Sequence, residues 1–167
     1  MSQSPTTGTP SYRRSCTLYL AEERPAIIAA QHKNSAGIYY EQDDPIVLDA
    51  WRNPERLGEA IRTALERFSF RETDLRDAKR SNWPSYRASR CRSISDFQRL
   101  HLPISISAVN ESHLSYRAES KPLREEEIGV CVTLNPFGND ASEKMGSLLL
   151  RLFDACGHLA PFLDEAR

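Results

Sequence analysis

The chain has 167 residues, of which 40% are hydrophobic and 27% are charged, and its formal net charge is −1. This length and composition are typical of one folded domain and exclude a globally disordered chain, because enough apolar side chains are present to form a core. No apolar run approaches the roughly 20 residues that a membrane-spanning helix needs, and the near-zero charge excludes a uniformly basic nucleic-acid-binding protein.

The first 14 residues are predicted to be a disordered lead, followed by one domain at residues 15–167. The lead is rich in Ser, Thr, Pro and Gly, and it has no basic stretch followed by an apolar one, so it does not resemble a secretory signal peptide. Four widely spaced cysteines form no C-x-x-C pair, which is typical of reduced thiols. These features favour a cytoplasmic protein. Cys131 and Cys156 continue apolar patterns and are expected to be buried.

The first half, residues 15–68, is predicted to contain three strands and a helix. Residues 25–30 and 37–41 are strand-like and flank a turn, and Ile46-Val47-Leu48 forms a third short strand. Asn53, followed by a proline, is a typical helix start. Apolar side chains then recur at the spacing of one helix face: Leu57, Ala60, Ile61, Ala64, Leu65 and Phe68.

A polar connector, residues 69–100, follows this helix. Its residues 72–80 are mostly charged and weakly amphipathic, and they are predicted to be helical. Ser93, with an acidic residue three positions later, predicts the start of a second short helix. Between these two segments, residues 83–92 interleave arginines with Trp and Tyr.

The second half, residues 101–157, repeats the order of the first. Alternating apolar and polar residues from 102 to 108 predict a half-buried strand, residues 114–116 continue on a partner strand, and residues 128–134 form a third. A helix is predicted after Asp140, with an acidic residue three positions later as a capping signal. Its apolar residues have the same spacing as those of the earlier helix: Met145, Leu148, Leu149, Leu152, Phe153 and Cys156.

The two long predicted helices share a glycine directly after their first apolar residue. Gly58 and Gly146 occupy this position. Because a glycine inside a helix costs about 1 kcal/mol relative to alanine, its use here indicates the close approach of another backbone. A later glycine, Gly157, is predicted to end the second helix. Two β-β-β-α units whose helices cover one face of a mostly antiparallel sheet give an α+β fold with internal pseudo-symmetry.

The sequence lacks the strongest catalytic and phosphate-binding signatures. It contains no G-x-x-x-x-G-K-[ST], G-x-G-x-x-G, H-E-x-x-H or G-x-S-x-G motif. The four histidines show no metal-ligand spacing, so we expect neither a metal nor a cofactor. Cys91 could form a nucleophilic pair with His101 or His113, which makes a hydrolase a minor hypothesis. The main expectation is a protein that is not an enzyme.

Charge is divided unevenly along the chain. Residues 1–70 carry a net charge of −1, residues 71–99 carry +4, and residues 100–167 carry −4. The near-neutral total is therefore the sum of a basic connector and two flanking segments with net negative charge, of which the C-terminal one is strongly acidic. A charged patch of either sign favours a partner of the opposite sign.

The arginines and aromatic residues of the connector admit three interpretations. Arg87, Arg90 and Arg92, beside Trp83 and Tyr86, could bind single-stranded RNA through phosphate contacts and base stacking. The same residue types are typical anchors of protein–protein interfaces. In the third interpretation, the arginines pair with the acidic second half of the same chain.

Residues 46–65 resemble a recurring element of the bacterial contact-dependent growth inhibition (CDI) immunity proteins. In that family each half ends in a strand, a Leu-Gly dipeptide and a helix, as with Leu57-Gly58 here. Residues 132–156 are similar to the second such element, although the family often ends this helix in Arg-Cys, where this chain has Ala155-Cys156. The run Arg90-Cys91-Arg92-Ser93 is similar to the family's central segment.

The resemblance spans residues 25–157 and implies a cytoplasmic immunity protein that binds the C-terminal toxin domain of a large exoprotein, often a nuclease. Such a protein is not an enzyme. Acidic side chains would meet the basic groove of the toxin, and aromatic side chains would serve as anchors. The candidate toxin contacts are Glu119, Glu125, Glu126, Glu127, Trp83, Tyr86 and Tyr116. The alternative function is a small RNA-binding module that uses Arg87, Arg90 and Arg92.

Overall fold

The computed structural model describes residues 13–73, 82–110, 113–119, 129–135 and 140–164. Within these ranges the chain forms eight strands and four α-helices. The strands are β1 Arg14–Leu20, β2 Ala26–Lys33, β3 Tyr39–Glu41, β4 Ile46–Leu48, β5 Ser69–Phe70, β6 Leu102–Asn110, β7 His113–Glu119 and β8 Gly129–Leu134. The helices are α1 Pro54–Glu66, α2 Pro84–Ser89, α3 Ile94–Leu100 and α4 Ala141–Asp164.

The strands form one sheet in the order β3-β2-β1-β6-β7-β8, and the neighbours in this order are all antiparallel. Both β4 and β5 also pair with β2, and β5 does so in the parallel direction. β1 was not predicted from the sequence, yet it lies in the middle of the sheet and joins the two halves. The mixed architecture, with α1 and α4 on one face, confirms the predicted α+β class.

The strand register confirms the predicted internal repeat. In the first half, Cys16 of β1 lies opposite Ala30 of β2. In the second half, Ile104 of β6 lies opposite Ala118 of β7, and each of these residues comes 88 positions after its counterpart. β1 and β6 are themselves antiparallel neighbours. The two halves are therefore related by a pseudo-twofold axis that passes between these central strands.

Helices α1 and α4 cross at the two glycines that the sequence marked for close approach. A Cβ atom at Gly58 would overlap the backbone carbonyl of Ser142, and one at Gly146 would overlap the backbone carbonyl of Pro54. Each glycine thus meets the residue four positions before the other glycine. This reciprocal contact explains why both helices accept the lower helix propensity of glycine at the same place.

The main core lies between the sheet and the α1–α4 pair. Every second residue of the central strands faces it, as the strand geometry requires. The buried strand residues are Cys16, Leu18, Leu20, Ala26, Ile28, Ala30, Ile104, Ile106, Ala108, Leu114, Tyr116 and Ala118. The helices contribute Leu57, Ile61, Ala64, Leu65, Met145, Leu149 and Leu152.

Two predicted helix starts are confirmed by their hydrogen bonds. The backbone N–H of Arg56 donates to Oδ1 of Asn53 over 3.0 Å at the start of α1. The backbone N–H of Asp96 donates to Oγ of Ser93 over 3.0 Å at the start of α3. Most of the predicted lead and most of the predicted helix at 72–80 lie outside the described residues.

Two other predictions were wrong. Gly157 does not end α4, which continues to Asp164. Nothing lies within 4 Å of a Cβ built at Gly157, and the helical backbone simply passes through it. Cys131 is exposed rather than buried, because it alternates with two valines of β8 that pack against the core.

Candidate protein-binding surface

The connector packs against the outward face of the first half of the sheet. Tyr19 and Ile27, which lie opposite each other on β1 and β2, are buried beneath Phe97 of α3. Trp83 and Tyr86 are partly buried against them. The ring centroid of Phe97 lies 5.1 Å from that of Tyr19 and 5.0 Å from that of Trp83. We refer to these five residues as the connector cluster, and their packing fixes α2 and α3 on the sheet.

A carboxylate from β3 fastens α2 at its first turn. The hydroxyl of Tyr19 donates to Oε1 of Glu41 over 2.6 Å. The fully buried Ser85 donates to Oε2 of the same carboxylate twice, from its backbone N–H over 3.1 Å and from Oγ over 2.7 Å. Trp83 at the N-cap position provides no side-chain cap, so Glu41 satisfies a backbone donor that the helix leaves open. Burial, followed by the charge of Glu41, raises the pKa of Tyr19.

The three aromatic residues proposed as partner anchors lie in different environments. Tyr116 is 0% exposed in the main core, so its selection as an anchor is corrected: a partner cannot reach it in this fold. Trp83 and Tyr86 are half-buried, and their rings contact Phe97. The rings that base stacking would need are therefore engaged within the protein, which weakens the RNA interpretation.

The four acidic residues proposed as toxin contacts stay a prediction. Glu119 is the last residue of β7. Glu125, Glu126 and Glu127 lie outside the described residues.

The three predicted connector arginines are exposed to solvent. Neither Arg87 nor Arg90 forms a side-chain hydrogen bond or ion pair within the described part of the chain, and their pairing with the acidic second half is not observed there. Arg90 ends α2 in the left-handed backbone region, with φ of 54°. A non-glycine residue in this region costs about 1 kcal/mol, and glycine is the usual residue at such a helix end.

A fourth arginine, Arg24 in the turn between β1 and β2, joins this group. Its Nη1 donates to Sγ of Cys91 over 3.6 Å, so Arg24 contacts the residue that lies between Arg90 and Arg92 in the chain. Its backbone carbonyl accepts a hydrogen bond of 2.9 Å from Nε1 of the buried Trp51. Sequence reasoning missed Arg24 because it lies 67 positions before Cys91, and no local pattern links the two.

Asp96 is the one carboxylate within residues 82–100, and it is already engaged. A hydrogen bond from Ser93, and then one from Arg99, lower its pKa, and the charge of Arg92 acts in the same direction. Nη2 of Arg99 lies 3.3 Å from Oδ1 of Asp96. We define the arginine surface as Arg24, Arg87, Arg90, Arg92 and Arg99. Its five guanidinium groups are accompanied by one carboxylate within residues 82–100, that of Asp96.

The hydrolase hypothesis receives no support from the contacts of its residues. Cys91 contacts Arg24 and the connector cluster. His101 is only 2% exposed and lies with its ring 4.7 Å from that of Phe97. A general base must be within reach of a substrate proton, and a buried ring is not.

No described helix is both long enough and apolar enough to cross a membrane. No family model matches the chain, and no curated protein matches it significantly. The fold is similar to a protein of unknown function from Neisseria meningitidis, with a TM-score of 0.63 at 16% identity over 84% of this chain and 93% of that chain. It is also similar to a chain of the CdiA-CT/CdiI toxin and immunity complex from Yersinia pseudotuberculosis. The TM-score is 0.58 at 9% identity, over 81% of this chain and 92% of that chain.

Proposed function

We propose that this chain is an immunity protein that binds the C-terminal toxin domain of a cognate CDI exoprotein and neutralises it. The fold likeness to a chain of a toxin and immunity complex carries the proposal, because it extends over 81% of this chain and 92% of the other. The sequence resemblance of residues 25–157 to CDI immunity proteins points the same way and selects the immunity role over the toxin role. The protein acts in the cytoplasm by binding, without catalysing a reaction, and the toxin is a nuclease.

Co-expression tests this function directly. The C-terminal domain encoded by the adjacent upstream reading frame is induced in a bacterial host with and without this chain. We expect growth arrest from the domain alone, growth restored by this chain, and a one-to-one complex with a Kd in the nanomolar range. A toxin domain from an unrelated CDI system serves as the control, and this chain should not protect against it.

Two results would contradict the proposal. In the first, the upstream domain is toxic but neither binds this chain nor is neutralised by it. In the second, this chain itself arrests growth when it is expressed alone, which would assign it to the toxin side of such a pair.

The acidic residues of the second half remain the proposed contacts with a basic toxin groove. Replacement of Glu119, Glu125, Glu126 and Glu127 by Gln removes four charges without a large change in volume. We expect a slower association rate and a weaker salt dependence of binding, since exposed interfacial charges act mainly on encounter. An unchanged association rate would remove these residues from the interface.

A further inference from the structure

We infer that the arginine surface is a docking site for an acidic face of the partner protein. The inference rests on the proposed function and names a contact surface different from the acidic residues considered above. Opposite charges on two separate patches of one protein would hold the partner in a single orientation, because a partner turned around would meet like charges at both patches.

The arginine surface carries charge that the described part of the protein does not neutralise. Arg87 and Arg90 have no ion pair there, and Arg99 and Arg92 share one carboxylate. Of the two acidic residues beside Arg24 in the β1–β2 turn, Glu22 already pairs with Arg52, and the exposed Glu23 offsets one of the five guanidinium groups. The surface is therefore positive towards solvent, which is the condition for charge complementarity with an acidic partner.

The backbone at Arg90 indicates that its side chain serves a purpose other than folding. Glycine would satisfy this left-handed helix end without strain, yet the chain has an arginine whose side chain bonds to no described residue. Strained backbone positions are concentrated at functional sites. The backbone strain at Arg90 therefore coincides with a guanidinium group that is available to bind a partner protein.

The composition and the fixed positions of the arginine surface favour a protein partner over RNA. Residues 82–100 contain four arginines and no lysine, and arginine is enriched in protein interfaces while lysine is depleted. A guanidinium group binds a carboxylate through two parallel hydrogen bonds. The aromatic rings that RNA would need are packed into the connector cluster. The backbone of Arg24 is fixed by the hydrogen bond from Trp51, and α2 is fixed by Glu41, so the backbone needs little ordering on binding.

Two charge-matched triple variants test the inference against the toxin domain encoded upstream. The first is Arg24→Gln, Arg90→Gln and Arg92→Gln on the arginine surface. The second, as control, is Arg56→Gln, Arg62→Gln and Arg151→Gln on the exposed faces of α1 and α4. We expect the first to raise the Kd at least tenfold, mainly through a slower association rate, and to flatten its salt dependence. The control should stay within twofold of the wild type.

A single variant, Arg90→Gly, separates binding from folding. It removes the guanidinium group and relieves the left-handed strain, so we expect weaker toxin binding together with an unchanged or higher thermal unfolding midpoint. A lower midpoint together with weaker binding would show that Arg90 acts through the fold and would overturn its assignment to the interface. Arg90→Lys keeps the charge but not the planar fork, and we expect it to bind with intermediate affinity.

The remaining outcomes distinguish this inference from the proposed function. If the wild type binds the toxin and the arginine-surface variant binds equally well, the inference is wrong and the proposed function stands. If the wild type does not bind the toxin, both fail. A single-stranded RNA of 20 nucleotides serves as the competing probe. Tight, salt-sensitive binding that only the arginine-surface variant loses would assign the surface to nucleic acid instead.

Discussion

Tyr116 lies in an apolar core, and its hydroxyl has no hydrogen-bond partner among the described residues. Burying an unpaired polar group costs free energy, so a variant that lacks the hydroxyl but keeps the ring should lose no stability. We expect Tyr116→Phe to leave the free energy of unfolding unchanged or to raise it by up to about 1 kcal/mol. Tyr116→Ala, which removes the ring as well, should lower it by about 3–5 kcal/mol. Urea unfolding measures both. A loss of more than 1 kcal/mol in Tyr116→Phe would reveal a partner for the hydroxyl.

Three buried acids, together with the partly buried Cys156, lower the stability of the protein in alkali. Burial raises the pKa of Cys16, Tyr19 and Tyr116 above their ordinary values. The unfolded chain loses these protons from about pH 8.5 for the thiol and about pH 10 for the phenols, whereas the folded chain keeps them. The free energy of unfolding should therefore be constant near neutral pH and fall above these values, by about 1.4 kcal/mol per pH unit for each group.

The variants Cys16→Ala and Tyr116→Phe assign this alkaline loss to particular groups. The thiol variant should delay the onset of the loss, and the phenol variant should reduce the slope above pH 10. Guanidinium chloride unfolding at pH 7, 9, 10 and 11 gives the required curves. A free energy of unfolding that stays constant to pH 11 would be inconsistent with the burial of these side chains.

At the level of elements, sequence patterns predicted those structures that bury one regular face. The apolar spacing predicted α1 and α4, and alternation predicted β6 to β8. β1 was missed because its pattern is short and follows directly on the polar lead. α2 was missed because its six residues have no apolar stripe, and its first turn depends on Glu41 from another element. The alternation of Tyr116 with Leu114 along β7 indicated that the Tyr116 side chain is buried. Tyr116 was nevertheless chosen as an anchor because it is aromatic, without regard to this alternation.

The glycine crossing of α1 and α4 gives a sharp test of the helix pair. Gly58→Ala and Gly146→Ala each place a Cβ on a backbone carbonyl that cannot move without separating the helices. We expect each to lower the free energy of unfolding by about 3 kcal/mol. The double variant should lose less than the sum, because the first substitution already opens the shared crossing.

Gly157→Ala is the matched control on the same helix as Gly146. It meets no atom within 4 Å and improves helix propensity, so it should raise the free energy of unfolding by up to about 1 kcal/mol. Thermal unfolding of all four variants measures the contrast. If the three single variants had equal effects, helix propensity rather than the close approach would govern these positions.

For the whole molecule, the pseudo-twofold axis relates two halves that have the same inward face and different outward faces. Tyr19 and Ile27 are buried beneath the connector. The residues 88 positions later, Ser107 and Ser115, form the corresponding pair between β6 and β7 and are polar. Internal repetition could be predicted from the sequence because both halves bury the same pattern. Of the arginine surface, Arg87, Arg90 and Arg92 could be predicted from the sequence, but the contact of Arg24 with Cys91 could not, because the connector belongs to neither repeat.

This asymmetry predicts unequal effects on stability for reciprocal substitutions at the two matched positions. Ile27→Ser places a hydroxyl under Phe97 and should lower the free energy of unfolding by about 3–5 kcal/mol. Ser115→Ile lies on the face where Ser105, Arg117 and Thr133 are exposed, and it should change the free energy by only about 0.5 kcal/mol. With Ser107→Tyr added, the second half would present the same apolar pair to solvent, and sedimentation velocity should then detect self-association. A large loss of stability in Ser115→Ile would show that a further part of the chain covers this face.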